Sequence, residues 1–583
     1  MKSRVVDGME RDSPLEVAPG LPKRGATKWT AIVERWLSDH LDGVALLVVA
    51  AGFGVRLVVA SRSYLNPDEA LDYLLINQPS ALLAYKASLG NAHPPLLYLL
   101  IYFWHFLGRS ELMLRLPSVL AGTAFCWVTF KWIRIVFGKA ASLIGVTFAA
   151  FSPALIALSA ELRPYAVLLF FMGGALYFLE RAFEEKSVRG IWYFSVFLYL
   201  AILTHYSAVF FVAAVGIYSL VRFLDSMFSR PILVAWAIGQ AGALAIYGLL
   251  YATHVSKIKK DEMALWASPM DNAYFHAGRG SLLTFTRQRT WDIFHFMFGQ
   301  RYISVAMFLV FAVGVAFLLV RDVVSRRGNR RPDYSGILLL LPFVAVWSAA
   351  LAGIYPYSGS RHTIFLAPFA IAAASFLLAA IYGQKLWAGL LIAALIVGAS
   401  NTSAETFEPF IKKEDQSRTL MTGAMNYIHQ SIPRSETILV DYQSSLPLTY
   451  YLCGPKAAAQ IEPSQDEFVR FRCDGYSIVS TKYDVYKLTP GNFPAQFEEM
   501  ARTEGLEPGD RVWVFQNGWG ANLDTELPSH FQKFRCLSPT SFGANLTVIP
   551  FLVGPDWLPA SPATNCPSPA FNSVVSSGRV AQP

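Results

Sequence analysis

Charge is scarce in this chain. Only 15% of its 583 residues are Asp, Glu, Lys or Arg, against about one-quarter in an ordinary soluble domain, while 54% are hydrophobic and the mean hydropathy is +0.37. That balance excludes a soluble globular protein as a description of the whole chain and leaves an integral membrane protein. Cysteine is scarce too, with five in all, and no C-x-x-C spacing occurs, which argues against a zinc site. There is no Gly-rich phosphate loop and no internal repeat, so neither a P-loop nucleotide site nor a repeat array is written here, and no nucleic-acid partner is expected. Residues 1–36 lack the apolar core of a cleaved signal peptide and carry Lys2, Arg4, Arg11, Lys23, Arg24, Lys28 and Arg35 instead. They read as a cytoplasmic N-terminal tail ahead of a retained anchor.

Long apolar runs are what the chain has in abundance. A helix of roughly 20 apolar residues crosses the hydrocarbon, and Asp42–Ala60 is the first run to qualify. Further spans are expected near 113–137, 140–160, 164–180, 191–203, 206–222, 232–252, 302–320, 336–354, 363–382 and 386–400, about eleven in all. With the N-terminus inside, Lys131, Arg134, Lys139, Arg181, Lys186, Arg189 and the basic run Arg321–Asp333 all fall on the cytoplasmic side, as the positive-inside rule requires. The run "PPLLYLLIYFWHFLG", Pro94–Gly108, gives about 22 Å of helix, short of a core of about 30 Å. It reads as a helix in the outer interface, with Tyr98, Tyr102 and Trp104 suited to that depth.

An odd number of spans puts the remainder outside. The expected division is a membrane domain over 37–400 and an extracytoplasmic soluble α/β domain over 401–583. There, strand-like "ETILVDY" and "RVWVFQ" alternate with helix-like "RTLMTGAMNYIHQ" and "PAQFEEMARTEG", and the last stretch reads as a disordered tail. Cys453, Cys473, Cys536 and Cys566 lie in this part, so two disulfides are expected in an oxidising compartment, with three connectivities open.

The unusual polar residues gather on the outer side. "SRSYLNPDEALDY" supplies Asp68 and Glu69, "NAHPPL" His93, "SAELRPYA" Glu161, Arg163 and Tyr165, "LTHYSA" His205, and "YPYSGSRHTIF" Tyr357, Arg361 and His362. One such residue at a helix end is as often a cap or a snorkelling side chain as a ligand group. Their coincidence at one level of the membrane points to a site.

The succession "NPDEA", "HPPLLYLLIYFWHFLGRSELMLRLPSVLAG", "ELRPYA" and "THYSA" resembles the membrane glycosyltransferases of the GT-C fold. Specifically, it is similar to the family 39-like group that includes protein O-mannosyltransferases and lipid A aminoarabinose transferases. The resemblance covers roughly residues 40–400 and implies a mainly α, polytopic helix bundle with a polyprenyl-phosphate-linked sugar as donor. It implies transfer to a protein, lipid or glycan acceptor on the extracytoplasmic face, with Asp68 as the acidic residue of the first outer loop. The loop Thr253–Arg301 is too short for the β-trefoil-type insertion of the eukaryotic members, so protein mannosylation is not implied. His93 stands where the lipid A transferases have a lysine, so lipid A is not implied either.

The chemistry of such a donor needs one base, because the carrier phosphate is already a good leaving group. Asp68 supplies it in an inverting displacement, Glu69 orients its neighbours, an arginine or a divalent ion, or acts as a second base, and Arg163 and Arg361 match phosphate oxygens with forked donors. His93, Glu161, Tyr165, His205, Tyr357 and His362 complete the expected phosphate and sugar contacts. Asp68, Glu69 and His93 are compatible with a divalent cation, although no ligand spacing demands one. Membrane lipids are the remaining partner. A transporter or flippase for a lipid-linked glycan, or a ligase using a diphosphate-linked donor, is the alternative.

Overall fold

An apolar segment in hydrocarbon must satisfy its own backbone N–H and C=O groups, and a helix does so within one segment. The long apolar runs are accordingly helical in the computed structural model, which describes residues 28–89, 91–225, 228–257, 268–327, 334–402, 416–454, 468–482, 493–517, 534–536, 539–543 and 546–553. The bundle consists of α1 (Lys28–Asp39), α2 (Leu41–Arg62), α3 (Pro67–Ile76), α4 (Ala81–Ser88), α5 (Leu96–Trp104), α6 (Glu111–Phe151), α7 (Pro153–Ser159) and α8 (Tyr165–Glu185). It continues with α9 (Val188–Thr204), α10 (Ala208–Asp225), α11 (Arg230–Thr253), α12 (Leu282–Phe298), α13 (Arg301–Arg327), α14 (Ser335–Leu351), α15 (Ala367–Ile381) and α16 (Leu386–Thr402).

By length and composition, 7 helices among the described residues can cross a membrane: α2, α6, α8, α10, α11, α13 and the run Arg361–Ile381 that ends in α15. This is fewer than the expected spans for two reasons. The segments at 113–137 and 140–160 lie largely on the two arms of α6, helices joined at a kink at Gly138 with φ +86°, a conformation that costs glycine little, so that one counted element carries both. Those at 191–203, 336–354 and 386–400 lie on α9, α14 and α16, apolar helices of 17 residues. The run at Pro94–Gly108 is the short α5 and one 3-10 turn, exposing Phe103, Phe106 and Leu107. Its Tyr98 and Tyr102, expected at the interface, are buried instead.

One arginine sits fully buried within an apolar helix. Arg56 of α2 donates to Gly52 O, Ala149 O and Ala150 O at 3.1, 2.9 and 2.7 Å. Carbonyls in the last turn of a helix lack intrahelical partners, so the guanidinium closes the end of α6 where the chain turns at Ser152.

After the bundle comes a small α/β domain. Its strands are β1 (Thr437–Val440), β2 (Phe468–Cys473), β3 (Tyr476–Thr481), β4 (Arg511–Asn517), β5 (Phe534–Cys536), β6 (Thr540–Gly543) and β7 (Leu546–Val553). They form one mixed sheet in the order β2-β3-β1-β4-β7-β5, with β6 beside β7. The central β1 runs parallel to β3 and β4, which is why "TILV" is an unbroken apolar run and not an alternation. Helices α17 (Arg418–Ser431), α18 (Tyr442–Leu448) and α19 (Phe493–Thr503) complete the described part. The two strands and two helices expected from sequence fall on β1, β4, α17 and α19.

This domain sits on the α2–α3 corner. Tyr64 OH donates to Asn517 Oδ1 at 2.9 Å, Leu65 N–H to Tyr451 OH at 2.9 Å, and the Tyr73 and Tyr450 rings meet edge-on at 5.0 Å. A disulfide joins Cys453, in the turn after α18, to Cys473 at the end of β2, with Cα atoms 4.8 Å apart. The other expected pair lies outside the described residues, as do the Cys536 side chain, residue Cys566 and the tail. Peptide mapping of protein purified without reductant should therefore recover Cys453 linked to Cys473. Buried Cys126 should resist maleimide until the fold is lost, and free thiols at 453 and 473 would contradict the pairing.

Candidate active site

The stretch "NPDEA" is first of all a helix start. Asn66 accepts the Glu69 N–H at 3.0 Å while the Glu69 carboxylate accepts the Asn66 N–H at 3.1 Å, a capping box with Pro67 in the first turn. The rest of the Glu69 carboxylate is taken by Arg115 of α6, which donates from Nε at 2.7 Å and Nη2 at 2.6 Å, and by the Leu162 N–H at 2.8 Å. Both side chains are wholly buried. Glu69, expected to orient its neighbours or act as a second base, is thus engaged by Arg115 and two backbone N–H groups that fix the start of α3. Arg115 also donates to Ala60 O, Ser63 O and Tyr64 O at 2.7–2.8 Å, closing the end of α2.

One residue earlier, Asp68 faces a different environment. Its Oδ2 accepts from Arg361 Nη1 at 2.5 Å and lies 3.6 Å from Arg163 Nη2, and the side chain keeps 18% exposure. Burial alone would raise its pKa, but the charges of Arg361 and Arg163 outweigh that and hold the carboxyl below the usual range. Four residues on, Asp72 shares this face. It accepts from Arg163 Nη1 at 2.9 Å, Tyr98 OH at 3.3 Å and Asn91 Nδ2 at 3.4 Å. Burial there dominates, and the Asp72 pKa is pushed up to about 6.

The remaining turns close round this pair. Arg163 Nη2 lies 3.0 Å from His93 Nε2, and the His93, Tyr165 and His205 rings form a triangle with centroid separations of 5.0, 5.5 and 6.2 Å. Burial, followed by the Arg163 charge, holds both imidazoles neutral, that of His205 with a pKa of about 3. His362 is within electrostatic reach of Arg361, His205, Arg163 and Asp68, and the fully buried Glu161 within reach of Arg115 and Arg361. The turn bearing Arg361 is pressed against α12, because a Cβ on Gly359 would stand 1.9 Å from Asp292 O. Tyr357 leaves the group. Its hydroxyl bonds Thr290 of α12 at 2.8 Å.

Sequence reading missed Asp72, Arg115, Tyr98 and Asn91. For Asp72 the signal was present in "DEALD", since residues four apart share a helix face. For Arg115 it was a lone arginine in the apolar run "MLRLPS". Among the described residues no group of three or more His, Cys, Asp or Glu could hold a metal ion. Glu69 and His93, expected as companions of Asp68 at a cation, are instead bonded by Arg115 and Arg163.

The chain is a polytopic helix bundle of the GT-C fold with a small C-terminal sheet domain, and this cluster lies at one end of the bundle. Residues 92–250 match the family model described as dolichyl-phosphate-mannose-protein mannosyltransferase, a stretch that holds His93, Arg163, Tyr165 and His205 but neither Asp68 nor Arg361. Among solved structures the chain is similar to ArnT from Cupriavidus metallidurans bound to undecaprenyl phosphate, at 14% identity over 87% of this chain and 98% of that one, with a TM-score of 0.50. It is also similar to the Archaeoglobus fulgidus oligosaccharyltransferase tethered to an acceptor peptide, at 11% identity over 83% of this chain and 70% of that one, with a TM-score of 0.45. No curated protein matches it in sequence. At these identities the ArnT likeness establishes the fold, and the reaction has to be argued from the site.

The Asp72 carboxyl gives a measurable consequence. Its folded pKa of about 6 exceeds the ordinary value of about 4, so its stabilising contribution is complete below about pH 4 and lost as pH rises through about 6. Asp72→Asn should therefore melt at a higher temperature than the parent at pH 8, with the gap narrowing below about pH 6 and closing only below about pH 4. A parent that melts higher at pH 8 would mean that the Arg163 pair outweighs burial.

Proposed function

We propose that this protein transfers a sugar from a polyprenyl-phosphate carrier to an acceptor hydroxyl on the extracytoplasmic face of the membrane, with Asp68 as the base. The observation that carries this reading is a single part-exposed carboxylate flanked by two guanidiniums, Arg361 and Arg163, at one end of the bundle. Both cation contacts fall on Oδ2, which leaves Oδ1 for the acceptor O–H. In the step, Asp68 takes the hydroxyl proton, the acceptor oxygen bonds the anomeric carbon from the face opposite the phosphate, and the carbon–oxygen bond to phosphate breaks with inversion. The leaving phosphate gains a second negative charge. Guanidiniums already fixed in place stabilise that growth more than the ground state, which is what accelerates the step.

The orientation belongs to the same proposal. The basic clusters place residues 1–36 in the cytoplasm of a cell inner or plasma membrane and residues 401–583 outside, so that the site opens to the extracytoplasmic side. Single-cysteine labelling in intact cells should mark position 256 and spare position 186. The reverse pattern would put the site on the wrong face.

Mass spectrometry of envelope glycans and glycolipids from cells with and without the chain should reveal one missing sugar and so supply the assay. Asp68→Asn should then lower transfer by about 10²- to 10⁴-fold with carrier binding nearly intact. Arg361→Ala should weaken binding and turnover together, and Arg361→Lys should recover only part because the forked donor is gone. An Asp68→Asn protein that folds normally and transfers at the parent rate sinks the mechanism.

A further inference from the structure

Two buried imidazoles packed against Arg163 and Tyr165 each hold a ring nitrogen with no hydrogen-bond partner among the described residues. His93 is 3% exposed and His205 4%. At His93, Nε2 faces Arg163 Nη2, which can only donate, so Nε2 is the acceptor and the ring proton is on Nδ1. At His205, Nδ1 accepts the backbone N–H of Ser207 at 3.1 Å, so its proton is on Nε2. The Ser207 hydroxyl lies 2.8 Å from the same Nδ1. The tautomers are thus set by neighbours whose donor character is fixed. His93 Nδ1 and His205 Nε2 are thus both N–H donors, and each lacks a hydrogen-bond partner among the described residues.

A buried donor left without a partner costs about 1–3 kcal/mol, so the pair calls for an oxygen acceptor. The ring centroids are 5.0 Å apart and the Tyr165 ring closes the third side. The two rings are therefore close enough to serve one ligand. Neither a third donor nor an ammonium group suits these two N–H groups, because an ammonium has no lone pair to offer. We propose that His93 Nδ1–H and His205 Nε2–H, walled by Tyr165, form a subsite for the hydroxyl oxygens of an uncharged sugar, and that a sugar carrying an ammonium group there is rejected. This rests on the carrier-linked sugar donor argued above. It goes further in naming the chemical class of the sugar and the atoms that read it.

Phosphate oxygens could satisfy the same donors, so the test separates the two sources. The full-length protein in lipid nanodiscs is titrated with bare undecaprenyl phosphate, with undecaprenyl-phosphate-linked glucose, mannose, galactose and arabinose, and with the 4-amino-4-deoxyarabinose conjugate. At least one uncharged sugar should bind about tenfold tighter than the bare carrier, as two new hydrogen bonds allow, and the amino sugar should gain nothing. In His205→Phe, which keeps the ring and deletes the donor, that advantage should shrink to within about twofold, and His205→Asn should restore part of it. Melting temperatures of both variants separate this from misfolding. An equal loss for bare and sugar-bearing carriers assigns the donors to phosphate and overturns the sugar subsite. So does tightest binding of the amino sugar, or no advantage for any uncharged sugar. If no carrier binds at all, the parent reading fails, and the subsite with it.

Discussion

The site depends on a buried ion pair that never touches it. Arg115 and Glu69 are both fully enclosed, and taking two charges out of water costs several kcal/mol per ion unless geometry is good and the leftover donors and acceptors are met. Here they are met. The guanidinium gives its Nε and one Nη to Glu69 and spends the rest on the carbonyls of Ala60, Ser63 and Tyr64, while Glu69 also takes the N–H groups of Asn66 and Leu162. One cation thereby joins the end of α2, the start of α3, the first turns of α6 and the turn before α8. Removing either partner would strand the other charge, a loss of about 3–5 kcal/mol, and would release the helix that carries Asp68 and Asp72.

With α3 fixed, the electrostatics of the outer cluster follow. Two carboxylates, Asp68 and Asp72, stand against two guanidiniums, Arg163 and Arg361, and the imidazoles add no charge. In the transfer proposed above, a carrier phosphate would bring one negative charge and, on cleavage, a second, which could be accommodated by moving guanidinium hydrogen bonds from Asp68 to phosphate or by protonating a carboxyl. Transfer of the acceptor proton to Asp68 would do the latter at the moment when phosphate charge grows, so the proposed step matches the arrangement to the charge that develops.

How far the sequence reading reached is explained by what apolar patterning encodes. The run "TILV" announces a strand buried on both faces, Asp42–Ala60 announces an apolar helix that lies largely exposed on the flank of the bundle, and the basic clusters suggest which loops share a side. That was enough to bring His93, Arg163, Tyr165, His205 and Arg361 into one group before any geometry. What it could not encode was direction. Asp68 and Glu69 are adjacent in the chain but about 100° apart on a helix, so one faces the cluster and the other the α2–α6 joint, while Asp72 returns to the first face. Tyr98 has the composition of an interfacial residue, yet it points inward to Asp72, and Tyr357 shares a turn with Arg361 but packs on α12. Aromatic residues at a membrane boundary do not say which way they turn.

The C-terminal domain then becomes part of the site's mechanics. It grips the α2–α3 corner on both sides of Asp68: Tyr64 and Leu65 before it bond Asn517 and Tyr451, and Tyr73 after it meets Tyr450. Tyr451 also reaches Glu111 in the first turn of α6, four residues before Arg115. The loop that makes these contacts follows α18 and is tied to the sheet through Cys453 and Cys473. A domain far from Asp68 in sequence therefore shares one corner with it, and the order of the sheet is transmitted to α3 through tyrosines rather than through charge. Because those contacts lie beside Asp68 and not on it, the domain would, in the proposed transfer, shape what approaches Asp68 while leaving the chemistry to the bundle.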